Sequence, residues 1–125
     1  MPKQPEGKLV TELQKRIRKH GGCCFKIHGG DNPFQAVGIP DLLCCIAGLF
    51  VGIETKLPGE KLSRMQVLAL HEIFASGGVS AVIETVGQGD RLLSTIEERA
   101  DIAKDGSGLV FDRGHWSTRF DLHSK

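Results

Sequence analysis

Asp41, Glu54 and Lys56 have the types and spacing for phosphoester chemistry. Asp41 opens an apolar run, Leu42 to Ile46, and a second run, Leu49 to Ile53, ends in Glu54-Thr55-Lys56. These runs have the pattern of two adjacent short strands. Side chains two apart on a strand share a face, roughly 6.5 Å from each other. Glu54 and Lys56 are therefore expected to look at one site, Thr55 to turn away, and Asp41 to reach the site from the neighbouring strand. Hydrolysing a phosphodiester requires a water of lowered pKa, neutralised non-bridging oxygens and help for the leaving alkoxide, all of which one or two Mg²⁺ ions can supply. Mg²⁺ prefers hard oxygen ligands and keeps several waters. Asp41, Glu54 and the backbone carbonyl of Thr55 are an adequate protein share, and Lys56 would set an ammonium beside the attacking water or the scissile phosphate.

The same three residues also allow a plainer arrangement, an ion pair between Glu54 and Lys56 with Asp41 as a strand-start residue. Context weighs against it. Both charges close an otherwise apolar strand of the buried type, where an unpaired charge is costly.

The elements that must position these residues follow from periodicity. Lys8 to His20 places Leu9, Val10, Leu13 and Ile17 on one arc of a helix with Lys15, Arg18 and Lys19 opposite, and Gly21-Gly22 stops it. Glu12 flanks the apolar arc, and an ion pair with Arg16 one turn on is open to it. Cys23 to His28 is expected as a first strand, followed by a loop opened by Gly29-Gly30-Asp31-Asn32-Pro33. The two strands around Asp41 and Glu54 come next, apolar on both faces, as in a central sheet covered by helices on both sides. Ser63-Arg64-Met65-Gln66 matches the S-x-x-Q capping box at a helix start, and Gly77-Gly78 stops that helix. Val79 to Val86 is a further strand, Asp90 to Ala103 a further helix, and the tail a hairpin turning at Asp112-Arg113-Gly114. The order is an α-β-β-β-α-β core with a C-terminal helix and hairpin, an α/β fold with a mixed central sheet flanked by helices, in one domain over residues 1–125.

Composition narrows the function classes. A net charge of +1 over 125 residues argues against a generic polyanion binder, but residues 1–26 carry seven Lys or Arg against two Glu, which suits either phosphate tracking or a solvated helix face. No apolar run approaches the ~20 residues of a membrane span and the N-terminus lacks a signal-peptide pattern, so a cytoplasmic location is expected. The four cysteines form two adjacent pairs, Cys23-Cys24 and Cys44-Cys45. That spacing suits neither a zinc knuckle nor a redox C-x-x-C, and reduced, buried thiols are expected.

Gly38-Ile39-Pro40-Asp41-Leu42-Leu43, then Phe50-Val51-Gly52-Ile53-Glu54-Thr55-Lys56, then Leu62-Ser63 and Gln66 opening a helix that ends Ala75-Ser76-Gly77-Gly78, resembles the PD-(D/E)xK nuclease superfamily. Within it the VRR-NUC domain is the match, in particular the small standalone type of phages and prophages, which is similar to Holliday junction resolvases. The likeness covers roughly residues 8–86 and lapses over the extension 87–125. Thr55 departs from it, standing where the family often has an aliphatic residue. The resemblance implies a restriction-endonuclease-like fold, Asp41 and Glu54 as ligands of Mg²⁺ or Mn²⁺, and Lys56 as the catalytic lysine. It gives Glu12 a second role, as a helix acid contributing to the metal site. It also makes Gln66 an active-site residue, which is preferred here to the capping role because one rotamer is not expected to serve both. His28, Lys26, Lys61 and Arg64 become candidate DNA contacts, each with solvated or strand-end alternatives. Trp116 fits the tail core or a dimer contact better than a base-stacking platform. The implied protein is a homodimeric endonuclease acting on branched DNA, without membrane or nucleotide cofactor. A flap or duplex nuclease and a catalytically silent DNA-binding module are the alternatives.

Overall fold

The computed structural model describes residues 5–27, 38–102 and 106–124. Helix α1 (Pro5–Lys19) leads into strand β1 (Cys23–Lys26), then β2 (Leu42–Ile46), β3 (Leu49–Thr55), helix α2 (Arg64–Ala75), β4 (Val79–Ile83), helix α3 (Val86–Ile102), β5 (Leu109–Asp112) and β6 (His115–Ser117). His28, expected at the end of the first strand, lies outside the described residues.

The six strands lie in one sheet in chain order, β1-β2-β3-β4-β5-β6. Neighbours pair antiparallel at β1/β2, β2/β3 and β5/β6, and parallel at β3/β4 and β4/β5, where α2 and α3 make the crossovers. The β2–β3 hairpin turns at Ala47 and Gly48, both at positive φ (53° and 79°). Such two-residue turns match the right-handed twist of the strands they join.

Helices α1 and α3 cover one face. Leu9, Leu13 and Ile17 of α1 and Leu92 and Ile96 of α3 pack on Leu42, Ile46, Val51, Ile53, Ala81, Ile83 and Phe111. Gly89 lets these helices approach, since a Cβ there would meet Leu13 Cδ2 at 2.3 Å. A second cluster on the opposite face joins Leu70 of α2 to Leu62, Val82, Val110 and Leu122. The tail thus completes the core rather than standing apart from it.

Three expectations are corrected. Among the described residues only part of the second face is covered by a helix, for α2 lies over β4 and β3 and leaves Phe25 66% and Phe50 49% exposed. Two of the four thiols, Cys23 and Cys45, are exposed, while Cys24 and Cys44 are buried. The third helix starts at Val86, not Asp90. Its start is set by Thr85, whose Oγ1 accepts from Gln88 N at 3.2 Å, and Gln88 Oε1 takes the backbone N–H of Glu84 at 2.6 Å, which also ends β4 at Ile83.

Candidate active site

The sheet brings one margin together: the end of β1, the start of β2, the end of β3 and the entry to α2. Asp41 directly precedes β2, and its carbonyl accepts from Ile27 N at 2.9 Å, carrying the β1/β2 ladder past Lys26. The register Leu42↔Ile53 places Asp41 opposite Glu54. Lys56 follows β3, tied by its N–H to Ile83 O of the β4 side at 3.0 Å.

Glu54 and Lys56 are only 3% and 8% exposed, and Lys56 Nζ stands 4.0 Å from Glu54 Oε2. The strand alternation that puts them together thus holds to the strand end. At the outer limit of an ion pair, this spacing leaves the ammonium loosely tied to the carboxylate.

Thr55, expected to turn away, is bonded to the site. Its backbone N–H and its Oγ1 both donate to Asp41 Oδ2, at 2.9 and 2.6 Å. Extending the β2/β3 register by one step sets Pro40 opposite Thr55. Proline has no N–H to offer the Thr55 carbonyl, and the Asp41 carboxylate takes the Thr55 N–H that the ladder would otherwise use. The side chain expected to turn away therefore holds the first acid of the site.

Gln66 is a second correction, because one rotamer serves both roles. Its Oε1 accepts from Ser63 N at 2.8 Å while Ser63 Oγ accepts from Gln66 N at 3.1 Å, which completes the capping box. The other end of the same amide, Nε2, donates to Glu54 Oε2 at 2.8 Å. A carboxamide has an acceptor and two donors on separate atoms, so capping the helix and orienting the carboxylate do not compete.

The remaining candidates fall as follows. Lys26, Lys61 and Arg64 are exposed, at the end of β1, in the loop before α2 and at the first residue of α2, all on the margin that holds Asp41 and Lys56. Glu12 lies 3.6 Å from both Lys15 and Arg16, and Arg16 bonds Asp90 of α3 at 2.7 and 2.8 Å. Its described contacts thus belong to the α1–α3 face. Sequence reasoning missed Arg113 and Glu84. Arg113 Nε donates to Glu84 Oε2 at 2.9 Å, and the same carboxylate accepts from Gly59 N at 3.3 Å, pinning the loop that carries Lys61. Arg113 sits in a tight turn at φ 51°, and no spacing in the chain signals that partnership.

Among the described residues no cluster of three or more His, Cys, Asp or Glu side chains could hold a metal ion. The donors present are two carboxylates and a strand-end carbonyl that proline cannot engage. All are hard oxygens, and they fit a cation such as Mg²⁺ that retains much of its water. A groove of about 420 Å³ lies beside the site and is mainly apolar, with Ile39, Leu43, Phe50 and Ile73 in its walls. It offers packing surface rather than reacting groups.

No family model and no curated protein matches the chain. Among solved structures, one titled "VRR_NUC domain" superposes with a TM-score of 0.59 at 24% identity, over 71% of this chain and 94% of the other. No helix among the described residues is long and apolar enough to cross a membrane. The six-stranded mixed sheet and three helices of the described residues make an α/β, restriction-endonuclease-like arrangement, and the chain has the fold of a VRR_NUC domain.

Proposed function

We propose that this protein is a nuclease of the PD-(D/E)xK type, a metal-dependent DNA endonuclease that hydrolyses phosphodiester bonds. The observation that carries the reading is the pair of buried charges at the end of β3. Glu54 and Lys56 are set 4.0 Å apart beside Asp41, with a helix-start amide aimed at the glutamate. Burying charge at a strand end costs stability and is expected where chemistry requires it.

Asp41 and Glu54 would hold Mg²⁺ or Mn²⁺, with the Thr55 carbonyl as a third donor and Glu12 as a further candidate. When bound, the ion supplies charge neutralisation on the phosphate and a water of lowered pKa. Thr55 keeps Asp41 turned toward the end of β3, Gln66 keeps Glu54 in place, and Lys56 sets its ammonium beside the phosphate as charge develops. Lys26, Lys61, Arg64 and His28 are the candidate contacts to the DNA backbone, which position rather than specify.

The finer reading is a homodimer that cuts four-way junctions. Two symmetric cuts need two identical sites at a fixed separation, and a C₂ pair supplies them without base-specific contacts. Labelled four-way junction, 5′ flap, duplex and single strand, incubated with Mg²⁺, Mn²⁺ or chelator, test both levels. Wild type should give paired symmetric nicks in the junction only with metal, while Asp41→Ala and Lys56→Ala should lose cleavage but still bind. Metal-dependent cutting of the other substrates alone would keep the nuclease and remove the junction role. No cleavage of any substrate would leave a silent binding module.

A further inference from the structure

The four cysteines meet across two strands in a way that their sequence spacing conceals. The β1/β2 register sets Cys23 directly opposite Cys45 and Cys24 directly opposite Cys44. Ile27 N donates to Asp41 O, and these two residues are themselves directly opposite, so that pair is a hydrogen-bonded one. Bonded and non-bonded pairs alternate along an antiparallel ladder. Counting back by twos makes Cys23/Cys45 hydrogen-bonded and Cys24/Cys44 the narrower, non-bonded pair.

The two pairs lie in different surroundings. Cys24 and Cys44 are 2% and 3% exposed in the main core, and burial pushes both thiols up from their ordinary range, Cys44 far up. A thiol so held supplies little thiolate and meets no oxidant. Cys23 and Cys45 point to the opposite face, exposed, on the edge strand and its neighbour. Opposed residues of a hydrogen-bonded pair have Cα atoms about 5.5 Å apart, within the roughly 4.4–6.8 Å that a disulfide spans. Their Cβ atoms, however, lie toward the wider end of about 4.5–5.5 Å and must draw in toward the roughly 3.5–4.5 Å of a disulfide, so a bridge here is strained and more readily reduced.

We propose that Cys23 and Cys45 are a reversible oxidation site, which closes to a cross-strand disulfide by exchange with a small-molecule disulfide of the glutathione class. The thiolate of one cysteine attacks a sulfur of the disulfide, forming a mixed disulfide and expelling one small thiolate. The second cysteine then attacks the protein sulfur of that bond and expels the other. The protein loses two electrons and two protons, and the small disulfide is reduced to two thiols. Exposure makes such a bridge labile and open to reduction by the reverse route. Cys24 and Cys44 face away and do not reshuffle with it. None of this depends on the nuclease reading.

The test is intact-mass and peptide mapping of the native protein after incubation with glutathione disulfide, followed by alkylation. Reduced protein should alkylate at Cys23 and Cys45 without denaturant. Oxidised protein should be lighter by two hydrogens, lose both alkylation sites, yield a Cys23–Cys45 linked peptide and revert fully with dithiothreitol. Cys23→Ser and Cys45→Ser should each stop at a single glutathione adduct. Wild type that accumulates two adducts without closing, links Cys24 to Cys44 or joins two chains would overturn the proposal.

Discussion

Asp41 Oδ2 accepts two hydrogen bonds from one residue, Thr55, so the carboxylate cannot swing without breaking one of them. Hydrogen bonds to a charged acceptor contribute about 1.5–3 kcal/mol each. Thr55→Val keeps the shape and the backbone bond but removes the hydroxyl. Apparent Mn²⁺ affinity, followed calorimetrically, should weaken by about tenfold, roughly 1.4 kcal/mol, while Thr55→Ser stays near wild type. An unchanged titration midpoint in the valine variant would remove Thr55 from the site. At this scale the sequence told much about Glu54 and Lys56, because period-two alternation places side chains without knowledge of their neighbours. It told little about Thr55, whose partner depends on where the β2 ladder meets a proline, or about Gln66, whose second bond is a contact across the fold.

Helix α2 is joined to the site by its first turn. Ser63→Ala should cost about 1 kcal/mol, the usual loss for an N-cap, with the Gln66–Glu54 bond kept. Gln66→Ala loses its half of the capping box and the donor to Glu54 together, and should cost about 1–2 kcal/mol more. Urea melts of the two variants give that difference, and equal losses would mean the Gln66–Glu54 bond contributes nothing. The start of α2 was legible because S-x-x-Q is local grammar. The start of α3 follows the same grammar in Thr85-x-x-Gln88, but Val86-Gly87 and Gly89 obscured it, glycine being a poor helix former. Gly89 leaves room for the tip of the Leu13 side chain of α1, on which a Cβ there would press. That role lies in packing, not in the local sequence.

At the scale of the molecule, the tail that the family resemblance did not reach supports the site from behind. Leu122 packs with Leu62, Leu70, Val82 and Val110, Phe120 stacks edge-on to His71 at 4.9 Å, and Ser124 bridges back to Leu62 just before the α2 cap. Leu122→Ala should therefore destabilise the whole fold by about 2–3 kcal/mol, toward the lower end for a buried leucine, measured by denaturant midpoint at unchanged m-value. A loss below 0.5 kcal/mol, the usual bound for surface changes, would mean the tail is peripheral. The hairpin itself was legible from Asp112-Arg113-Gly114, but its place beside β4 was not, since pairing between distant segments leaves no local trace.

The strictly sequential strand order also bears on how the chain is made. Each strand joins an edge already formed by its predecessor, and none must be inserted between two others. A chain emerging from the ribosome can thus add strands in the order in which they appear, meeting one open edge at a time. The β2–β3 hairpin closes early over a tight turn, whereas β4 and β5 each wait for a helical crossover, and parallel pairings of that kind form slowly. Until α2 and β4 are in place, Glu54 and Lys56 lie at the open margin of a nascent sheet. The candidate site at the end of β3 is then enclosed only once α2 and β4 have been made, by the same docking that shields the exposed edge of β3 from other nascent chains.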